Sequence, residues 1–161
     1  MIIISDTSPI INLAAIDYLW LLPKIYGQII IPQSVFDEIV IAGVGEPGAD
    51  EIKFADWIEV RNCHNMTLWH QLKTELDAGE AEAIALAVEI QADRILIYER
   101  RGRQKAIDLS LRPVGVLGVL LRAKQDGLIS AVKPLLDRLI NDAGFFVNVK
   151  LYQDVLISAN E

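Results

Sequence analysis

Short apolar runs alternate along this chain with longer segments whose apolar positions recur at helical spacing. Runs of strand character fall at about residues 2–5, 28–31, 57–60, 94–98 and 113–116. Helical periodicity predicts helices over about 9–21, 33–42, 68–76, 79–92, 101–109, 116–126, 130–142 and 149–159. This alternation is the signature of an α/β fold built on a mostly parallel central sheet of about five strands. No internal repeat is present, and 161 residues suit one domain spanning 1–161.

Two segments are locally decodable. Gly43-Val44-Gly45-Glu46-Pro47-Gly48 breaks any regular element and predicts a mobile loop, which follows the helix bearing Glu38 and is read as an ordinary surface connection. In Leu76-Asp77-Ala78-Gly79-Glu80-Ala81-Glu82-Ala83-Ile84-Ala85-Leu86-Ala87, Asp77 and Glu80 form a capping pattern and the alanines favour helix. Ala83, Ile84 and Ala87 share the face of Glu80, which predicts that Glu80 points inward. At about 100° per residue Glu82 lies about 200° away and is expected to face water.

Composition narrows the chemistry. The chain is 52% hydrophobic and 23% charged, which argues against disorder. Its apolar stretches stop short of the roughly 18 residues a membrane helix needs. With no basic leader region at Met1, the expectation is a cytoplasmic protein with no membrane contact. Cys63 is the single cysteine, and His64 and His70 are the two histidines, so thiolate and histidine metal sites are disfavoured and any metal must be held by oxygen. Oxygen ligands favour a hard cation such as Mg²⁺ or Mn²⁺.

A formal net charge of −7 rules out bulk attraction to a phosphate backbone, although Arg100, Arg101, Arg103 and Lys105 form one basic cluster. That cluster reads equally as a phosphate-facing patch or as the solvated first turn of a helix. Gly115-x-x-Gly118 lacks the residues that complete a phosphate loop and reads as close backbone packing. Trp20, Trp57 and Trp69 share no common period and read as packing residues. The C-terminal set Phe145, Phe146, Val149, Leu151, Tyr152, Val155 and Leu156 is large for a terminal helix, and predicts core closure or an oligomer surface.

The candidate chemistry starts at Asp6. It ends the apolar run of the first strand, so its carboxylate points toward the crevice where open α/β sheets bind ligands. Glu38 and Glu80 bring two more acids toward the same side of the sheet. Singly, each has an ordinary role as a cap, a surface charge or a helix-dipole partner. Together they would repel unless a cation sat among them. Ser8 and Asn12 are placed to contact a carboxylate, a metal-bound water or a phosphate.

Asp6-Thr7-Ser8 after the first strand, Pro32-x-Ser34-Val35-x-x-Glu38 after the second, and Gly79-Glu80-Ala81-Glu82-Ala83 opening a later helix resemble the PIN-domain (VapC-like) family. Asp6-Thr7-Ser8-Pro9-Ile10-Ile11-x-Leu13, Gly102-Arg103-x-x-Ala106, Gly115-x-x-Gly118-x-Leu120-Leu121-x-Ala123-Lys124 and Gly127-Leu128-Ile129 are similar to a prokaryotic branch of it known only as a domain of unknown function. The likeness runs over nearly the whole chain, carried by the order and spacing of the motifs together.

The resemblance implies a PIN-like three-layer α/β/α fold and divalent-metal-dependent cleavage of RNA. It also implies frequent service as the toxin of a type II toxin–antitoxin pair, with a small antitoxin protein as partner, and a homodimer. Its first three acids fall on Asp6, Glu38 and Glu80, which makes these the expected catalytic residues and metal ligands. The fourth acid position reads Tyr98, a neutral phenol at pH 7. Glu99 is the candidate replacement ligand, although neighbouring strand residues point to opposite faces. Arg103, Ser8 and Asn12 are the candidate substrate contacts. Two other readings compete: a catalytically weakened or silent protein-binding module, and a phosphatase or small-nucleotide hydrolase using the same metal.

Overall fold

Five short strands, β1 (Ile3–Ser5), β2 (Ile29–Pro32), β3 (Ile58–Arg61), β4 (Arg94–Leu96) and β5 (Pro113–Val114), line up in the order β3-β2-β1-β4-β5 in the computed structural model, which describes residues 1–161. All pairings are parallel, with Ile4 opposite Ile30 on one side and Ile95 on the other. Every strand expected from the sequence is present. β1 is central, and the order reverses direction beside it: β2 and β3 extend one way, β4 and β5 the other. That reversal leaves a crevice outside the carboxyl ends of β1 and β4.

The helices are α1 (Thr7–Ala15), α2 (Leu21–Tyr26), α3 (Gln33–Phe36), α4 (Ala49–Lys53), α5 (Met66–Leu72), α6 (Ala78–Glu89), α7 (Arg100–Asp108), α8 (Val116–Gln125), α9 (Lys133–Asp142) and α10 (Val149–Ser158). None is long and apolar enough to cross a membrane. Strand side chains alternate between two cores. Ile3, Ile29, Ile31 and Leu96 pack against α1, α2, α8, α9 and α10, while Ile4, Ile30, Ile95 and Ile97 pack against α5, α6 and α7. Helices therefore cover both faces, which gives the three-layer α/β/α arrangement. Trp57 joins the first core and Trp69 the second.

Three departures from the sequence expectation have local causes. The single helix expected over 9–21 is broken at Asp17, whose positive φ of 63° no helix interior adopts, and the chain restarts as α2. The helix expected over 33–42 begins as α3 but widens into a π-helical turn, Asp37–Ala42, which carries Glu38. Past the Gly43–Gly48 turns, α4 forms where no helix was expected, its start closed by Glu51 accepting from the Gly48 N–H at 3.0 Å.

Glu82 also corrects the expectation that it faces water. It is 2% exposed, and its Oε1 accepts from the Ser34 N–H at 3.0 Å and from Ser34 Oγ at 2.7 Å. The angular separation from Glu80 holds, but α3 covers that face of α6, and its opening turn presents donors that satisfy the carboxylate. Both faces of α6 are thus buried, which is why its residues from Gly79 to Ala87 are all inaccessible.

The C-terminal helix is tied back to the body by Glu161, which accepts from the Val132 and Lys133 N–H groups and pairs with Lys124 at 3.0 Å. Phe145 and Val155 close the core as expected, while Phe146, Val149 and Ile157 remain exposed. E82A should destabilise the protein by about 1–3 kcal/mol in urea unfolding, because it leaves the Ser34 donors unpaired inside the fold. An unchanged midpoint would place Glu82 back at the surface.

Candidate functional site

Asp6 is fixed by the ladder itself: its N–H donates to the Leu96 carbonyl at 2.9 Å, bridging the ends of β1 and β4. It precedes α1, yet its side chain makes no capping bond there, which leaves the buried carboxylate available for other work. Glu38 approaches from the π-helical turn. Its Oε2 accepts from Thr7 Oγ1 at 2.9 Å, so the residue after Asp6 orients the second acid. Gly79 lies between the two: a Cβ built there would stand 3.1 Å from Glu38 Oε2 and 3.9 Å from Asp6 Oδ1. The sum of those distances is the upper limit on the separation of the two oxygens.

Glu80 points inward as its helical face predicts and is 3% exposed. Half of the capping pattern forms, with Asp77 Oδ1 accepting from the Glu80 N–H at 2.8 Å. The Glu80 carboxyl turns instead toward α7. Its Oε2 is buried without any hydrogen-bond partner, against Gly102, where an added Cβ would stand 2.5 Å from it. A side chain at 102 has no room unless Glu80 moves.

Five carboxylates therefore crowd one end of the sheet. Burial pushes Asp6 up to about 7, with the charges of Asp77, Glu38 and Glu99 adding to it and the Thr7 backbone partly offsetting it. Burial likewise pushes Glu80 up to about 8, helped by Asp6, Asp77 and Glu99 and opposed by Arg101. None of the five has a basic partner within ion-pair distance. Burial first, and like charge second, raises the pKa of Asp6 and Glu80 toward neutrality.

Tyr98 and Glu99 separate as alternation predicts, and the separation favours Glu99. Tyr98 turns to the face of Leu96: it packs against the first core, its ring centroid lies 4.9 Å from that of Phe145, and its hydroxyl accepts from the Phe146 N–H at 3.2 Å. Glu99 starts α7 without a side-chain cap bond, near enough to Asp6 and Glu80 for its charge to raise both. Ser8 and Asn12 are half-buried and hydrogen-bond to none of the acids; Thr7 makes the contact expected of Ser8. Arg103 is exposed, with its Nη1 3.3 Å from a Cβ built on Gly115.

The donor chemistry suits a hard divalent cation: oxygen ligands only, negative charge without compensation, and an orphaned buried carboxylate oxygen. No three of these groups stand closely enough to enclose an ion as they are placed. Asp6 and Glu38 approach one another, and Glu80 has to leave Gly102 to join them.

The family model described as a PIN domain matches residues 2–161, and the chain belongs to the PIN-domain family. That makes it a nuclease fold, of a family that generally uses divalent metals. A search of curated proteins and a search of solved structures give no match.

A carboxyl with a folded pKa above its unfolded value binds more protons when folded, so stability falls as pH rises between the two values. For Asp6 and Glu80 this interval runs from about 4 to about 7 and about 8 respectively. Thermal unfolding of the metal-free protein should show a melting temperature that falls from about pH 5 to about pH 8, with D6N flattening the slope. A melting temperature that rises across this range would contradict the charge crowding.

Proposed function

We propose that this protein is a divalent-metal-dependent ribonuclease, hydrolysing phosphodiester bonds of RNA with Mg²⁺ or Mn²⁺. The observation that carries the reading is the cluster of uncompensated acids at the carboxyl ends of β1 and β4 in a chain of this family. Asp6, Glu38 and Glu80 would hold the cation, and Glu99 takes the place that Tyr98 leaves. When bound, the metal polarises the phosphoryl oxygens and lowers the pKa of water. The chain's own groups do the rest: Thr7 Oγ1 orients Glu38, Asp77 fixes the start of α6, and the Glu80 carboxyl gives up its proton as it takes part. Ser8 in the first turn of α1 and Asn12 one turn further along are the proposed substrate contacts, with Arg103 supplying positive charge from α7.

In its setting, the protein is proposed as the cytoplasmic toxin of a type II toxin–antitoxin pair, neutralised by a small antitoxin protein. A homodimer would cover part of the exposed apolar surface at Val149 and Ile157. The second reading is a silent protein-binding module that keeps the fold. Tyr98 favours it, since the fourth acid position is both neutral and turned toward Phe145 and Phe146.

Cleavage of single-stranded RNA by the full chain, with Mn²⁺ and with chelator, separates the two readings. The ribonuclease cleaves only with metal; D6N and E38Q each lower the rate by roughly 10²–10³-fold, the scale of losing one electrostatic stabiliser of the transition state. E99Q lowers it by about 10–100-fold, the scale of a supporting partner. Purified protein that leaves RNA intact at millimolar Mn²⁺ supports the silent module.

A further inference from the structure

A groove of about 760 Å³ runs away from the acids between α7, β5 and α8 on one side and residues 145–148 with α10 on the other. Glu99 lines its near end, so the groove is continuous with the acidic cluster. Next come Arg100 and Arg103. Neither pairs with a carboxylate, whereas Lys105 on the same helix is taken up by Glu75 at 2.8 Å. The lack of a side chain at Gly115 leaves room for the Arg103 guanidinium to lie over the start of α8.

The far wall is aromatic and held in place. Tyr98 packs its ring on Phe145, and its hydroxyl accepts from the Phe146 N–H, so the Phe146 ring stands at the rim, 78% exposed. Asp154 is the one acid on the α10 side of the groove, and it makes no ion pair with either arginine.

From this arrangement we infer that the groove binds a stretch of single-stranded RNA flanking the cleaved phosphodiester. Arg100 and Arg103 meet successive phosphates, and Phe146 gives a stacking face to one base. A polymer that carries phosphates beside flat, unstacked bases matches two guanidinium groups on one wall and an exposed ring on the other. A duplex keeps its bases stacked internally and has none to offer Phe146. Tyr98 is then a positioning residue: in place of a fourth acid, it sets the wall that presents Phe146. The inference rests on the ribonuclease reading for which nucleotide meets the acids, but binding in the groove is measurable without cleavage.

The test is fluorescence anisotropy of the full chain with a short 2′-O-methyl single-stranded RNA in chelator, over a salt series, beside a cleavage assay of unmodified RNA with Mn²⁺. R100A and R103A should each weaken binding and reduce the salt slope by about 0.7, the share of one phosphate contact on a single strand. F146A should weaken binding about tenfold, equivalent to about 1.4 kcal/mol, with the salt slope unchanged. Y98F should weaken binding with no change in salt slope, since it frees the wall and removes no charge. Both arginines and Phe146 are exposed, so unchanged urea midpoints are expected for their variants.

Groove-dependent binding by a wild-type protein that cleaves nothing supports this inference and removes the ribonuclease reading. Cleavage and binding that are indifferent to R103A and F146A overturn the groove and leave the ribonuclease standing. Equal affinity for duplex RNA overturns it as well, as does binding of an acidic peptide in place of RNA. Failure of both assays overturns both readings.

Discussion

Burial of acids that have no partner is the constraint around which this end of the fold is arranged. Asp6, Glu38, Asp77, Glu80 and Glu99 come from four separate segments, with Asp77 and Glu80 sharing the start of α6, and with no basic residue paired to any of them their approach is opposed by both burial and like charge. The fold meets that cost by protonation near neutral pH and by hydrophobic packing on both faces of the sheet. On the reading proposed above, a divalent ion would convert that repulsion into attraction.

The local details serve that gathering. The reversal of strand order beside β1 opens the crevice, and the π-helical turn carries Glu38 into it. Gly79 and Gly102 remove the side chains that would otherwise occupy the spaces taken by Glu38 and Glu80. Thr7 and Asp77 supply the hydrogen bonds that fix the neighbouring backbone and carboxylate. Glu82, two residues from Glu80, shows the contrast: it is as deeply buried, but Ser34 satisfies it, and it carries no unmet demand. Burial does not distinguish these two acids; the missing partner at Glu80 does.

The parallel sheet and its five strands were legible because buried strands leave short apolar runs that no helix of ordinary length shares. Glu80 was legible from its helical face, but Glu82 was not, since a helical projection gives direction and says nothing of what covers that direction. The breaks at Asp17 and the π-helical turn depend on single backbone angles and on packing against α4. Thr7 lay inside a recognised motif, yet whether it or Ser8 faces Glu38 depends on the turn that links β1 to α1. Gly102 lay inside a recognised motif, yet its contact with Glu80 exists only when α7 lies against α6. At Tyr98 and Glu99, strand alternation alone predicts opposite faces, and the structure adds which face holds the acids.

On the proposed reading, Asp6, Glu38 and Glu80 form a divalent cation site once a cation is supplied. A crystal grown with millimolar Mn²⁺ at about pH 8, where Asp6 and Glu80 shed their protons, tests it through the anomalous signal of the metal. The predicted result is one peak in contact with Asp6 and Glu38, with the Glu80 carboxyl turned away from Gly102 toward it. No peak at this end of the sheet, with Glu80 Oε2 still against Gly102, would contradict the claim.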